Sequence, residues 1–179
     1  MEHTLILVDE KDNITGYGEK MKVHREGHLH RAFSLFVVNR SGQLMLQRRA
    51  FEKYHSGGLW ANTCCSHPLK GEDREETIHS RLKHEMGFDC ELKPLFNFIY
   101  RAEFENGLTE YELDQVYIGF YEGVANPNPD EVCEWKWMDI EELKNDLKSS
   151  PEKYVYWLKA AFGEFYLNYH DLLNQSKAS

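Results

Sequence analysis

The chain has 179 residues, and its 21 Lys and Arg stand against 30 Asp and Glu, which gives a formal net charge of −9. This length predicts one domain over residues 1–179, with elaborations at both ends and a core that needs no disulfide or structural metal. The excess of acids argues against nucleic acid or an anionic membrane as a whole-surface partner, because phosphates attract a basic field. It leaves room for a small anion held by a local basic cluster.

The four cysteines, at positions 64, 65, 90 and 133, include an adjacent pair, which is a poor framework for disulfides. The longest apolar run near the N-terminus covers residues 5–8 and is far too short for a signal peptide or a membrane span. We therefore expect a cytoplasmic protein in a reducing compartment, with no membrane partner.

The pattern of apolar residues predicts three elements in the first half of the chain. The first is a strand over residues 4–8, and the second is a hairpin of two apolar runs, 33–38 and 43–47, around a polar turn. The third is a short amphipathic helix over 73–86, which carries apolar residues at four-residue spacing and ends before Gly87.

The second half is predicted to contain strands at 95–100, 115–121 and 132–138. Asp139 is a suitable N-cap for a helix over 140–147, and apolar residues at helical spacing predict a C-terminal helix. Strands, a helix, further strands and a terminal helix indicate a mixed α/β or α+β fold with a sheet core.

Three histidines lie close together, at positions 24, 28 and 30. On an extended segment, His28 and His30 would point to the same face and could share a site. A metal site is one interpretation of this group, and ordinary surface histidines are the other.

A second group of polar residues lies in the stretch 62–68. If this stretch is extended, Cys65 and His67 lie on one side of the backbone and Cys64 lies on the other. The Cys65 and His67 pair could be a nucleophile and a base, a base and a ligand, or a buried thiol beside a surface histidine.

Charged residues form two further groups. Glu110 and Glu112 are two residues apart and repel each other on one face unless a positive charge lies between them. They are either a solvated strand edge or, with the histidines, part of a metal site built from nitrogen and oxygen ligands. Arg48, Arg49 and Lys53 form a basic patch, which is either ordinary surface charge or a phosphate clamp.

These residues belong to an ordered set of motifs. The set begins with Glu19-Lys20, His24, His30-x-Ala32-Phe33 and Arg48-Arg49-Ala50. It continues with Trp60-x-Asn62-x-x-Cys65-x-His67-Pro68, Gly71-Glu72, Arg81-x-x-x-Glu85-x-Gly87, Tyr100-Arg101 and Glu110-x-Glu112. From about residue 4 to about residue 160, the chain therefore resembles the metal-dependent, flavin-free (type 1) isopentenyl-diphosphate isomerases of the Nudix-fold superfamily. The resemblance implies a Nudix-like fold, a mixed sheet flanked by helices.

The resemblance also implies two metal ions and no flavin. One divalent metal, Zn, Mn or Mg, would be held by residues that match a family set of three imidazoles and two carboxylates: His24, His30, His67, Glu110 and Glu112. His28 falls outside this match. A Mg ion would bridge Glu85 to the diphosphate of the substrate, and that diphosphate would be surrounded by the matching cations Lys20, Arg49, Lys53 and Arg81.

The implied reaction transposes a C=C bond and converts isopentenyl diphosphate reversibly to dimethylallyl diphosphate, for isoprenoid biosynthesis. It protonates the alkene to a tertiary carbocation and removes a proton from the neighbouring carbon, so it needs an acid and a base on opposite faces of the substrate. Cys65 and Glu112 match these two residues, and Tyr100 matches a hydroxyl that assists proton delivery. Trp157 matches an indole that faces the cation, although an ordinary core tryptophan is the alternative. The only implied partner is a small prenyl diphosphate, and we expect a monomer or weak homodimer.

A Nudix hydrolase of a nucleoside or prenyl diphosphate is the alternative function. When the hydrolase signature is aligned on Gly87, four positions match, namely Glu72, Leu82, Glu85 and Phe88. The leading glycine of the signature is replaced by Ser66, its Arg-Glu pair by Ser80-Arg81 and the first of its paired glutamates by His84. The cluster of metal-binding carboxylates on this helix is thereby reduced to Glu85, which favours a protein that binds a diphosphate without hydrolysing it.

Overall fold

The computed structural model describes residues 4–178, and the side chains of residues 4–175. The strands within this range are β1 Thr4–Val8, β2 Ile14–Glu19, β3 His30–Val38, β4 Gln43–Arg49, β5 Trp60–Ala61, β6 Cys64–Ser66, β7 Leu92–Glu103, β8 Thr109–Phe120 and β9 Val132–Asp139. The helices are α1 Lys20–Glu26, α2 Arg74–Met86, α3 Ile140–Ser149 and α4 Tyr156–Ala178. Over the same range, no helix combines the length and the apolar character that a membrane crossing requires.

Strand β3 is the centre of one mixed sheet. It pairs in parallel with β8 along its whole length, from the His30–Glu112 pair to the Val38–Phe120 pair, and antiparallel with β6 on its other edge. Strand β7 pairs antiparallel with β8, and β9 pairs antiparallel with β4. Because β4 joins β3 only at Val38 and Leu44, the two parts of the sheet separate beyond that point.

Helices cover both faces of this sheet, as the alternation of apolar side chains along β3 requires. Phe36 and Val38 pack in a core cluster that includes Phe165 of α4. Phe33 and Leu35 point the other way, into a second cluster under α2. The expected mixed sheet flanked by helices is thus confirmed.

Several predicted boundaries agree with the structure because caps are local features of the sequence. Asp73 accepts a hydrogen bond from Glu76 N at the start of α2, and Gly87 ends that helix with φ 77°. Asp139 likewise caps α3 by accepting hydrogen bonds from the backbone N–H groups of Glu141 and Glu142.

Other parts of the fold differ from the sequence-based expectation. Strand β2 and helix α1 were not predicted. Strand β7 extends beyond its predicted range at both ends, whereas β8 begins six residues before its predicted start and ends one residue before its predicted end. The predicted hairpin of β3 and β4 is confined to the end beside its turn, because β4 pairs mainly with β9.

Candidate active site

The register of four strands places the predicted catalytic residues on one face of the sheet. In the parallel pair, His30 lies beside Glu112, and on the other edge of β8 Tyr100 lies beside the same Glu112. Ser34, four residues along β3, pairs with Cys65 of β6. This is the face that α4 covers, since Tyr100 belongs to the same core cluster as residues of α4.

Two buried histidines present ring nitrogens that lack a hydrogen-bond partner within the described part of the chain. His24, in the last turn of α1, has Nδ1 2.7 Å from Lys20 O, and His30 has Nδ1 2.8 Å from His28 O. These contacts make Nδ1 the donor in each ring and leave the two Nε2 atoms as free acceptors. Metal-binding histidines have the same arrangement, with the second nitrogen fixed by a backbone carbonyl.

Together with His67 and Glu112, these histidines form a group that could hold a metal ion. One ligand atom from each of the four residues lies within 4.8 Å of all the others. Burial lowers the pKa of His24 to about 4 and that of His67 to about 3, so both rings are neutral near pH 7 and able to bind a cation. The donor set of three imidazoles and a carboxylate therefore fits a divalent metal.

Glu110, the predicted fifth ligand, lies beside this group but is not one of the four that converge. The hydroxyl of Tyr100 lies 3.1 Å from Glu110 Oε2 and 2.7 Å from Glu112 Oε2, so it bridges the two carboxylates. Burial, and after it the charge of Glu112, raises the pKa of Glu110. Burial also opposes ionisation of Glu112, but the His67 ring, whose Nε2 lies 2.8 Å from Glu112 Oε1, outweighs it and holds the pKa of Glu112 well below its usual range.

The Cys65 thiol lines the same cavity as Tyr100 and has two close polar partners. The indole Nε1 of Trp157 donates a hydrogen bond to Sγ at 3.0 Å, and Asn62 Oδ1 accepts one from Sγ at 3.0 Å. Burial, followed by the nearby carboxyl group of Asp114, raises the pKa of Cys65, so the group is a thiol at neutral pH. Cys64 faces the opposite way, fully buried in the cluster under α2.

The four predicted cations line the same cavity, which has a volume of about 90 Å³. They are Lys20, Arg49, Lys53 and Arg81. The Nε atoms of both arginines are buried and find no acceptor among the residues that the structure describes. Glu85 of α2 also lines the cavity; Arg81 donates to its Oε1 at 2.7 Å and Gln47 donates to its Oε2 at 3.0 Å.

Trp157 has more contacts than the resemblance implied. Besides its bond to Cys65, its ring has the Arg49 guanidinium over one face, 5.1 Å from the ring centroid. The side chain is buried in the core cluster that contains Tyr100, so it is both a core residue and part of the cavity wall.

Sequence reasoning missed His55, a buried residue of the cavity wall. Its Nε2 lies 2.8 Å from Glu110 Oε1. The ring stacks on Phe104 with centroids 4.5 Å apart. The one nearby feature of the sequence that marks this loop is Gly57. A side chain at this position would clash with the carbonyl oxygen of Phe51, so the loop that carries His55 must turn tightly there.

Sequence reasoning also missed a buried carboxyl group on β8. Asp114 follows Glu112 on the same face, and its Oδ2 accepts a hydrogen bond from Ser34 at 2.7 Å. Its other oxygen has no partner among the described residues, and burial raises its pKa well above the usual range. The alternation 110, 112, 114 along a strand is the signal that could have revealed it.

The lowered pKa values of the histidines predict an acid-sensitive metal-free protein. Unfolded His24 takes up a proton near pH 6.5, whereas the folded ring resists protonation down to about pH 4. This contribution to the free energy of unfolding is complete above pH 6.5 and is lost as the pH falls towards 4, by at most about 3 kcal/mol. Urea unfolding with a chelator at pH 7 and pH 5 measures it.

The variant His24→Gln should show a smaller loss of stability between these two pH values. His28→Gln is the matched control, because the His28 side chain is 51% exposed and should leave the pH dependence unchanged. Equal pH dependence in the unchanged protein and in His24→Gln would contradict the assignment.

Comparisons with known proteins give the family. The NUDIX domain family matches residues 28–158. Isopentenyl-diphosphate Delta-isomerase 2 of Aromatoleum aromaticum is 52% identical over 160 residues, which cover 89% of this chain and 85% of that protein. Isopentenyl-diphosphate Delta-isomerase of Burkholderia multivorans is 47% identical over 157 residues, with coverage of 88% and 89%.

Among solved structures, the protein DR0079 of Deinococcus radiodurans superposes with a TM-score of 0.74 at 21% identity, over 89% of this chain and 96% of that one. At this identity the likeness concerns the fold alone. The coverage and sequence identity of the two relatives, by contrast, establish the family. The chain belongs to the isopentenyl-diphosphate Delta-isomerase family of NUDIX-domain proteins.

Proposed function

We propose that the protein interconverts isopentenyl diphosphate and dimethylallyl diphosphate and so supplies isoprenoid biosynthesis. The observation that carries this proposal is the common cavity: a thiol, a carboxylate with its tyrosine, and four cations all line one space of about 90 Å³. Proton-transfer groups beside a cluster of cations suit a short alkene that carries a charged head group.

Cys65 and Glu112 are the proposed acid and base. We expect the thiol to hold its proton and Glu112 to be ionised, because burial raises the pKa of Cys65 while the neighbouring His67 ring lowers that of Glu112. The substrate therefore meets one proton donor and one proton acceptor. Since the reaction is reversible, each group acts as acid in one direction and as base in the other.

Tyr100 and Trp157 support these two groups. Burial and the two neighbouring carboxylates raise the pKa of Tyr100 well above its usual range, so its hydroxyl stays protonated and can pass a proton to or from Glu112. Trp157 orients the thiol through its N–H group, and its indole ring can stabilise a carbocation by about 0.5–2 kcal/mol. The rings of Tyr100 and Trp157 also help to exclude water, which would react with the carbocation.

His24, His30, His67 and Glu112 would hold the divalent metal, Zn, Mn or Mg, with Glu110 as the fifth ligand. A cation there would neutralise the two carboxylates and adjust the basicity of Glu112. Glu85 would hold a Mg ion beside the diphosphate, since Mg favours one or two carboxylates together with phosphate oxygens. The buried, unpartnered Nε atoms of Arg49 and Arg81 support a role for both arginines in binding the diphosphate.

We further propose that the protein works in the cytoplasm as a monomer or weak homodimer. All four cysteines are unpaired, which suits a reducing compartment. Light scattering over a range of protein concentrations would measure the oligomeric state.

One assay tests the proposed function. The full chain is incubated with isopentenyl diphosphate and Mg in deuterated water, and the products are followed by NMR. We expect the dimethylallyl isomer with deuterium incorporated at carbon and no release of phosphate, and we expect a chelator to stop the reaction. Release of phosphate or pyrophosphate would favour a Nudix hydrolase, and turnover that persists after metal stripping would contradict the histidine and glutamate site.

A further inference from the structure

The carboxylate of Glu131 lies among the cations proposed for the diphosphate. It lines the same cavity, its Oε2 forms an ion pair with the Lys53 ammonium, and its Oε1 lies 3.7 Å from a guanidinium nitrogen of Arg81. The proposed reaction gives this acid no role. In a site that receives an anion, its charge opposes binding.

The backbone on both sides of Glu131 fixes its position. Its carbonyl oxygen accepts a hydrogen bond from Ala50 N at 2.9 Å, at the start of the loop that carries Lys53. Its own N–H donates to Asn128 O at 3.0 Å, and Asn128 N donates to Glu85 O at 2.9 Å, on the last turn of α2. The acid is therefore attached to both elements that supply its cations.

The two cations are consequently compensated by protein carboxylates. The Lys53 and Glu131 side chains are only 23% and 19% exposed, so water screens this pair incompletely. Arg81 is shared between Glu131 and Glu85, with the Glu85 contact at 2.7 Å. Phosphoryl oxygens that bind to Lys53 and Arg81 must replace these contacts.

We propose that Glu131 is an internal competitor of the diphosphate and sets its affinity. The Glu131 carboxylate pairs with Lys53 and Arg81 whenever no diphosphate is bound. A diphosphate that binds must therefore replace the carboxylate at both cations. Substrate and product carry the same head group, so a competitor that weakens binding also favours product release. The identity of the substrate rests on the proposed isomerase function, whereas the competition itself requires only a diphosphate group.

The variant Glu131→Gln removes the negative charge and keeps the size of the side chain. Calorimetric titration of the full chain with inorganic pyrophosphate, once with Mg and once with a chelator, measures the effect. We expect pyrophosphate to bind the variant about 3- to 30-fold more tightly than the unchanged protein in both titrations. Glu134→Gln is the matched control, since this neighbouring acid of β9 is exposed and pairs with Arg48. The affinity of this variant for pyrophosphate should differ from that of the unchanged protein by less than about 2-fold.

Equal or weaker binding by Glu131→Gln, in either titration, would overturn the proposal, as would the absence of pyrophosphate binding in all proteins. If Glu131→Gln does not fold, Glu131→Asp withdraws the carboxylate by one methylene and should tighten binding by about 2- to 5-fold, and unchanged affinity would count against the competition. Tighter binding in a protein that isomerises nothing would refute the proposed function alone. Isomerisation with unchanged affinity in the variants would refute the competition alone.

Discussion

Cys65→Ala is expected to abolish isomerisation, whereas Cys64→Ala should keep most of it. The two thiols are adjacent, but strand β6 points them to opposite faces. The sulfur of Cys65 lies in the cavity, 3.0 Å from both Trp157 Nε1 and Asn62 Oδ1. Cys64 is packed under α2 with no exposed surface. Loss of a positioned proton-transfer group costs about 10²- to 10⁴-fold in rate, and steady-state kinetics on the purified variants would measure this loss.

Cys64→Ala should instead affect stability, because it leaves a small cavity in the core, with an expected cost of about 1 kcal/mol in the free energy of unfolding. Urea unfolding of both variants separates this effect from catalysis. Comparable losses of activity in the two variants would show that the assignment of the thiols to the two faces is wrong.

Local sequence signals account for the elements that were predicted correctly. Asp73 and Gly87 define the ends of α2, since an N-cap and a glycine with positive φ act within one turn. Helix α1 escaped prediction because it has seven residues and is capped by Glu19, a residue that is less typical of an N-cap than Ser or Asp. Yet α1 places Lys20 and His24 one turn apart in the site.

The composition of the site depends on contacts between distant parts of the chain. The pairing of β3 with β8 brings His30 beside Glu112, and no local periodicity specifies which strands will pair. The motif resemblance supplied these residues, because it relates positions far apart in sequence. His55 and Glu131 lie in loops outside any periodic pattern and outside the matched motifs, so only the folded chain places them at the cavity.

Tyr100→Phe and Glu112→Gln are expected to separate proton delivery from metal binding. The Tyr100 hydroxyl bridges Glu110 and Glu112 but is not among the four residues that could hold a metal. Its removal should slow isomerisation by about 10²- to 10⁴-fold while the protein keeps its metal. Glu112→Gln removes both a proton-transfer group and a ligand, so its rate should fall by at least as much and most of the metal should be lost on dialysis.

Metal content after dialysis, measured by atomic spectroscopy beside the rate of isomerisation, decides between these outcomes. Tyr111→Phe is the matched control, because Tyr111 lies between the two glutamates on β8 and points to the other face, where Arg101 lies over its ring at 5.6 Å. It should keep both metal and activity. Full metal retention by Glu112→Gln would show that Glu112 is not a metal ligand. Full activity of Tyr100→Phe would show that Glu112 exchanges its proton without help from the Tyr100 hydroxyl. Loss of metal in Tyr100→Phe would show instead that the hydroxyl acts by holding the two carboxylates in place.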